Sequence, residues 1–200
     1  MAKQIDPKVT NIIHHLASQG VQHIVEGLSG MIGEPLIATP PEIRFLPVLQ
    51  IPNQFGGPEV EAVGIYLHAE GQMAGQFMLI LPLDKALELV DLLMMEPPGT
   101  TTSLEGIGKS ALAEVGNLAG SYFLNAIADI THQITVVTPP AVMSDMVGAI
   151  LNVIVAESAS QVEEVVTIIT SLIHGGRDVQ ATFWYVPDAN TLDALAQLQG

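Results

Sequence analysis

Three polar side chains, those of Ser110, Glu114 and Asn117, follow one another at spacings of four and three residues. On an α-helix, at ~100° per residue, these positions fall within an arc of roughly 60° and share one face. A carboxylate on such a face can pair with a cation, and an amide can both accept a hydrogen bond from water and donate one. The same spacing is typical of an ordinary solvated helix face, so spacing alone assigns no reaction.

Two other patterns resemble chemical sites less closely. The histidines form neither an HExxH motif nor a clear i,i+4 pair on a helix, and we expect most of them to be solvated or locally paired. They are His14, His15, His23, His68, His132 and His174. Gly106–Ser110 ends like a phosphate-binding loop, but Ser103 stands where that motif requires its first glycine. We interpret this stretch as the start of a helix and expect no metal or cofactor bound by the chain.

The composition restricts the class of protein and its partners. The 200 residues are 48% hydrophobic, which is enough for a sizeable core, and the chain has no cysteine for a disulfide or a thiolate site. Six Lys and Arg against 21 Asp and Glu, a formal net charge of −15, argue against nucleic acid. The apolar run from Met146 to Ala156 falls short of the ~20 residues that span a bilayer. Since Met1–Pro7 also lacks a signal-peptide core, we expect a cytoplasmic protein.

The chain repeats itself with a shift of 99 residues. Ala38-Thr39-Pro40-Pro41 matches Val137-Thr138-Pro139-Pro140, and a helix-length segment precedes each motif, Val9 to Ile32 and Leu104 to Thr131. Both segments carry residues at helical spacing that predict a buried stripe. The stripes contain Ile13, Leu16, Gly20 and Ile24 in the first segment, and Leu112, Val115, Ala119 and Phe123 in the second.

Downstream of each motif, two strand-like runs flank a turn and predict a hairpin. Each half then passes a proline and begins a shorter helix. The runs are Glu61–Ala69 and Ala74–Leu81, then Glu164–Ile173 and Val179–Val186, and the helices are Lys85–Met95 and Ala189–Leu198. Both halves therefore predict the order helix, strand, irregular stretch, hairpin, helix.

These units predict one internally duplicated α+β domain over residues 1–200. The halves are residues 1–95 and 104–200, joined by a linker at 96–103 that is rich in proline and threonine. A half with a single hairpin leaves a sheet edge that its twin would cover. We therefore expect two long pseudo-symmetric helices packed on a mainly antiparallel sheet of about six strands.

The string Ser110-Ala111-Leu112-Ala113-Glu114-Val115-Gly116-Asn117, with Pro140 following Asn117 after 22 residues, resembles a family signature. The pattern S/D-x3-E-x2-N-x22-P is that of the CheC/CheX/FliY family of chemotaxis phosphatases. The resemblance extends over the whole chain, because those proteins are also built from duplicated units. It implies the CheC-like fold and a hydrolase of two-component signalling.

The resemblance also implies a role for each residue of the motif. Asn117 would orient the water that attacks the aspartyl phosphate of a CheY-like response regulator, and Glu114 would pair with that regulator's active-site lysine. The regulator itself would hold the Mg²⁺. Ser110 and Pro140 support the motif, either structurally or by contact. A CheD-like deamidase is implied as a further partner, although no residue can be assigned to it.

The first half does not repeat the polar motif. The shift of 99 residues puts Asn11, His15 and Ser18 at the positions of Ser110, Glu114 and Asn117, and Pro41 at the position of Pro140. His15 offers no carboxylate and Ser18 no amide, so we expect this first site to be silent. The alternative function is a non-catalytic adaptor similar to the FliM middle domain, which lacks the Glu and Asn pair.

Overall fold

The computed structural model describes residues 7–71, 74–133, 135–157, 164–187, 191 and 197. Its helices are α1 (Pro7–Ile32), α2 (Leu83–Leu93), α3 (Gly106–Thr131) and α4 (Val147–Glu157), with a 3₁₀ helix at Val48–Phe55. Its strands are β1 (Ile37–Ala38), β2 (Glu42–Pro47), β3 (Glu61–Gly71), β4 (Gly75–Pro82), β5 (Thr135–Val137), β6 (Ala141–Met146), β7 (Glu164–His174) and β8 (Arg177–Pro187). Within these residues, no helix combines the length and the apolar character needed to cross a bilayer.

The two long helices confirm the repeat. Each has 26 residues, and α3 starts 99 residues after α1, at Gly106, so the glycine-containing stretch up to Ser110 is the helix start that we predicted. The apolar stripes of both helices are buried, as their helical spacing predicts. Among them, Ile13, Leu16, Ile24, Leu112, Val115 and Phe123 are all less than one-tenth exposed.

The two predicted hairpins are also present, as β3 with β4 and β7 with β8. Helix α2 lies within two residues of its predicted ends. The other short helix, predicted at Ala189–Leu198, lies outside the described residues apart from Thr191 and Gln197.

The stretch that we predicted to be irregular in each half is regular structure, so that prediction was wrong. It forms β2 and the 3₁₀ helix in the first half, and β6 and α4 in the second. Side chains of β2 and β6 are exposed or only partly buried, which weakens the alternation that marks a strand. The 3₁₀ helix and α4 owe their stability to packing on the sheet, which local sequence does not reveal.

The eight strands in the described part of the chain form one antiparallel sheet in which the two halves exchange partners. Six strands lie in the order β1-β7-β8-β4-β3-β5, while β2 extends the edge on β7 and β6 extends the edge on β3. The edge strands of each half thus pair with the hairpin of the other half, and β4 pairs with β8 at the centre. The predicted antiparallel sheet of about six strands is confirmed, and it runs continuously from one half to the other.

Each face of the sheet buries its own apolar layer. Helices α1, α2 and α3 cover one face, where they pack on Ile65 and Leu67 of β3. The 3₁₀ helix and α4 cover the other face, around the fully buried Trp184. Alternate residues of a strand point to opposite faces, so β3 contributes to both layers. This arrangement fixes α3 against the sheet with one side turned outward.

The buried carboxylate of Asp91 in α2 holds the linker that leads to α3. Its Oδ2 accepts the N–H groups of Gly99 at 2.7 Å and Thr100 at 3.1 Å, and its Oδ1 accepts that of Thr101 at 2.7 Å. Burial raises the pKa of this carboxyl, but hydrogen bonds from the side chain and backbone of Thr101 and from the other two N–H groups outweigh burial. The pKa of Asp91 therefore lies below its usual range.

Replacing Asp91 with asparagine is expected to lower the free energy of unfolding by about 1–3 kcal/mol at pH 7. The amide puts an NH₂ group in the place of one acceptor oxygen, so at least one N–H group of the linker loses its hydrogen-bond acceptor. Since folding lowers the pKa of Asp91, the charged carboxylate stabilises the native state above the unfolded pKa of about 4. That contribution is lost as the pH falls through the lower native value. Urea unfolding of both proteins at several pH values measures the difference, which should shrink below about pH 4.

Asp129→Asn is the control matched in charge, since Asp129 is exposed on α3. Its free energy of unfolding should stay within about 0.5 kcal/mol of the wild-type value. If both variants lost the same free energy of unfolding, the loss would come from the change in net charge rather than from the hydrogen bonds between Asp91 and the linker.

Candidate functional site

An open groove of about 450 Å³ runs along α3, between the helix and the segment Val137–Pro140. The helix contributes one wall and that segment the other. The lining residues are Ser110, Ala113, Glu114, Asn117, Val137, Thr138, Pro139 and Pro140. The fold therefore brings together all four residues of the sequence motif, although Pro140 lies on a different element from the other three.

The helical wall faces outward as its spacing predicts. Ser110 and Glu114 are exposed, and Asn117 is half-buried at the bottom of the stripe. On the opposite side of α3, Leu112 and Val115 are fully buried against the sheet. Tyr122, farther along α3, is only partly buried and stacks on His23 of α1 with ring centroids 5.5 Å apart.

The two central side chains of the groove have no polar partner in the described part of the chain. Glu114 and Asn117 form no hydrogen bond or ion pair with any residue that the structure describes. The Ser110 hydroxyl instead donates to the backbone oxygen of Gly106 at 3.2 Å. An unpaired carboxylate on a chain of net charge −15 favours a cationic group from a partner, and a free amide can orient a water molecule.

The opposite wall is a β-bulge. Val137 pairs with Ala69, and pairing resumes with Ala141 opposite Tyr66, so three residues of the wall face only two residues of β3. Prolines are tolerated in sheets at such bulges, because a bulge interrupts the ladder of hydrogen bonds. The extra residue carries Thr138–Pro140 out of the regular sheet and turns this segment into a groove wall.

Two glycines set how closely α3 approaches the sheet beneath the groove. A Cβ atom at Gly116, next to Asn117, would overlap Cγ2 of Ile65. A Cβ atom at Gly120 would lie 3.0 Å from Cδ2 of Leu67. The helix therefore needs glycine at these positions to lie at this depth, and its depth determines how far Asn117 lies below the rim of the wall.

The first half has the same scaffold without the free carboxylate and amide. Asn11, His15 and Ser18 are exposed on α1, and Pro41 is half-buried. The Ser18 hydroxyl donates to the backbone oxygen of His14 at 2.9 Å, so helix structure occupies it. The Ala38–Pro41 segment forms an equivalent bulge, because Ala38 pairs with Leu172 and Glu42 with Ile169.

The histidines are spread over the molecule. His14, His15, His23 and His132 are exposed, and His68 and His174 are half-buried. His174 contacts Glu34 at 2.9 Å and the backbone oxygen of Pro35 at 3.1 Å. In the described part of the chain, no group of three or more His, Asp or Glu side chains is arranged to hold a metal ion.

Sequence reasoning missed several residues around the groove. Val137, Thr138 and Pro139 complete the wall beside Pro140, and their signal was the Thr-Pro-Pro motif found in both halves. Ile107 lies seven residues before Glu114, hence on the same face of α3, and is 70% exposed. The spacing of seven residues between Ile107 and Glu114 was the signal that could have predicted this apolar side chain on the same face as the polar stripe.

Comparison with known proteins finds similarity both in sequence and in fold. No protein-family model matches the chain. The chain is 24% identical over 189 residues to the CheY-P phosphatase CheC of Bacillus subtilis, a match that covers 92% of this chain and 90% of CheC. The structure of Thermotoga maritima FliY matches with a TM-score of 0.73 and 16% identity, over 98% of this chain and 97% of that one. The FliM middle domain of H. pylori matches with a TM-score of 0.69 and 9% identity, over 96% and 99% of the two chains.

The two kinds of similarity agree with the motif. The structural matches establish the shared fold, and the CheC match extends in sequence over nearly the whole length of both proteins. The chain therefore has the fold of FliY and of the FliM middle domain, and over nearly its whole length it is similar in sequence to CheC, as the resemblance of the motif implies.

Proposed function

We propose that this protein hydrolyses the aspartyl phosphate of a CheY-like response regulator, in chemotaxis or another two-component pathway. The observation that carries the proposal is the groove, in which the free Glu114 and Asn117 side chains lie beside the Pro140 wall. The similarity to a CheY-P phosphatase supports the same reaction.

Asn117 orients the attacking water. An acyl phosphate is reactive, so its hydrolysis requires a positioned water molecule rather than a strong base. The amide oxygen accepts a hydrogen bond from that water, and the amide nitrogen can donate one. Water attacks phosphorus, the bond between phosphorus and the aspartate oxygen breaks, and inorganic phosphate leaves. Mg²⁺ held by the regulator would neutralise charge on the phosphoryl group.

Glu114 anchors the regulator. Its exposed carboxylate lies one helical turn before Asn117 and has no partner among the described residues, so it is available to the ammonium group of the regulator's lysine. Ser110 and Pro140 support this arrangement. The Ser110 hydroxyl is bonded to the helix backbone, and Pro140 belongs to the opposite wall.

The direct test measures phosphate release from a CheY-like regulator that has been phosphorylated with acetyl phosphate. Release should be faster with the protein than without it, in proportion to the protein added at low concentration. An unchanged rate, under conditions where titration demonstrates binding, would contradict the enzyme and favour the alternative function.

The alternative is a non-catalytic adaptor that binds a response regulator or a CheD-like deamidase. The FliM middle domain favours this alternative, because it has the same fold, and H. pylori FliM has been solved in a complex with FliG. Binding to the regulator without faster phosphate release is the result that distinguishes the adaptor. The free carboxylate and amide in the groove favour the enzyme.

The double variant His15→Ala, Ser18→Ala is expected to keep phosphate release within about twofold of wild type, as for surface residues away from a functional site. Both side chains are exposed, and the Ser18 hydroxyl already bonds the helix backbone. The assay described above measures the rate, with urea unfolding to verify the fold. A large loss of activity at unchanged stability would show that the first half contributes to the reaction.

The converse substitution tests the same symmetry. In an Asn117→Ala background, His15→Glu with Ser18→Asn should restore part of the activity, because α1 repeats the geometry of α3. Recovery also requires a complementary surface around α1, where Gln22 and His23 replace Ser121 and Tyr122.

A further inference from the structure

The groove wall opposite Asn117 has few backbone groups with which to hold itself to the sheet. Pro139 and Pro140 have no N–H group. Between the end of β5 at Val137 and the start of β6 at Ala141, Thr138 is therefore the single residue with a backbone donor.

Thr138 fastens this segment to β3 with two hydrogen bonds. Its N–H donates to the backbone oxygen of His68 at 2.8 Å, and its Oγ1 accepts the N–H of His68 at 3.0 Å. We call these two bonds the Thr138 latch. In a regular strand, a backbone oxygen would accept the N–H of His68, but the bulge moves that oxygen out of register. The Thr138 hydroxyl takes its place as the acceptor. Without Oγ1, the wall would keep one of the two bonds.

We propose that Thr138 is a positioning residue for regulator dephosphorylation. By fixing Thr138–Pro140 to β3, the latch sets the width of the groove in which Glu114 and Asn117 meet the regulator. This inference rests on the proposed function, and Thr138 acts through the wall rather than on the phosphate. A misplacement of about 1 Å can cost about 100-fold in rate, so a loosened wall should affect catalysis well before it affects folding.

The first half provides a matched control. Thr39 forms the same latch with Ser171, with bonds of 2.9 Å from the Ser171 N–H to Oγ1 and 3.0 Å from the Thr39 N–H to the Ser171 oxygen. The Thr170 hydroxyl adds a bond of 2.8 Å to the Thr39 backbone oxygen. Thr39 is thus fastened at least as firmly as Thr138, but the groove of Glu114 and Asn117 does not include it.

The test compares Thr138→Val, Thr138→Ser and Thr39→Val in the full chain, with Bacillus subtilis CheY charged with acetyl phosphate as the probe. In Thr138→Val, kcat should fall about tenfold or more, while KM stays within about threefold because Glu114 remains. Thr138→Ser keeps Oγ1 and should restore the wild-type kcat. Thr39→Val should also keep the wild-type kcat, although its midpoint of urea unfolding falls at least as far as that of Thr138→Val.

A wild-type kcat in Thr138→Val would overturn the inference, and so would an equal loss in Thr39→Val, which would indicate general loosening of the sheet. If Thr138→Val fails to fold by circular dichroism, Thr138→Ala replaces it, because it removes the hydroxyl and leaves room for water at the His68 N–H. If the wild-type chain does not accelerate release, the proposed function itself fails. If the wild-type chain accelerates release and Thr138→Val has the same kcat, this inference fails but the proposed function stands.

Discussion

Asn117→Ala is expected to remove nearly all of the accelerated dephosphorylation of the regulator, a loss of about 100-fold or more in kcat. The alanine side chain can neither accept a hydrogen bond from the attacking water nor donate one. Water still reaches the phosphate, but in many orientations, so release should return toward the rate of the regulator alone. Single-turnover phosphate release at saturating protein measures the loss directly.

The fold of this variant should remain intact. Asn117 is half-buried and makes no hydrogen bond with a described residue, so its truncation breaks no hydrogen bond within the described part of the chain. Alanine also has the highest helix propensity. Binding of the phosphorylated regulator should change little, because Glu114 and the groove wall are unaltered.

Asn125→Ala is the matched control, since Asn125 is an exposed asparagine on the same helix, beyond the groove. It should release phosphate at the wild-type rate. Near-normal release by Asn117→Ala, with binding retained, would remove the water-orienting role from this residue.

The long helices and the hairpins could be predicted because their signals are local. Helices α1 and α3 keep apolar side chains on one face over 26 residues each, and the hairpin strands are apolar runs on either side of a turn. The repeat then supplied the pseudo-symmetry, since two equivalent halves suggest equivalent places in one sheet. These features depend on neighbours in sequence, which is why they needed no knowledge of tertiary contacts.

The edge strands could not be predicted in the same way. Strand β6 is held by its pairing with β3, and β2 is held by its pairing with β7. In both cases the partner strand lies in the other half of the chain. Partners so distant in sequence leave no periodic signal in short, half-exposed strands. The bulge at Thr138–Pro140 was hidden for the same reason, because it exists only in the register between β5, β6 and β3.

The candidate site, like the fold, has a part that local sequence predicts and a part that depends on tertiary contacts. Helical spacing put Ser110, Glu114 and Asn117 on one face, and the structure turns that face outward. Helix geometry could not reveal that Pro140 lies across a groove from them, since that contact depends on the sheet. Nor could it reveal the role of Gly116, whose missing Cβ allows α3 to lie against Ile65. The residues were therefore predictable, whereas the cavity between them was not.

Glu114→Lys is expected to weaken binding of the phosphorylated regulator far more than it changes the fold. Close charge pairs across protein interfaces are coupled by about 1.5–7 kcal/mol, so even the lower value corresponds to more than about tenfold in Kd. Lysine adds repulsion to the lost attraction, because it puts two ammonium groups in the place of an ion pair. The exposed position of Glu114 on α3 tolerates the longer side chain. Titration of the phosphorylated regulator, followed by fluorescence or calorimetry, measures the change.

Two further variants test whether weaker binding comes from the charge at position 114, rather than from the size of that side chain or from the net charge of the whole chain. Glu114→Gln keeps the shape of the side chain and should weaken binding less than Glu114→Lys, because it removes attraction without adding repulsion. Glu59→Lys reverses a charge on an exposed residue outside the groove and should bind as wild type does. Added salt should narrow the difference between Glu114→Lys and wild type, since screening weakens charge pairs that water can reach. Equal Kd values for wild type and Glu114→Lys at low salt would take Glu114 out of the interface. Equal weakening in Glu59→Lys would instead assign the attraction to the overall charge of −15.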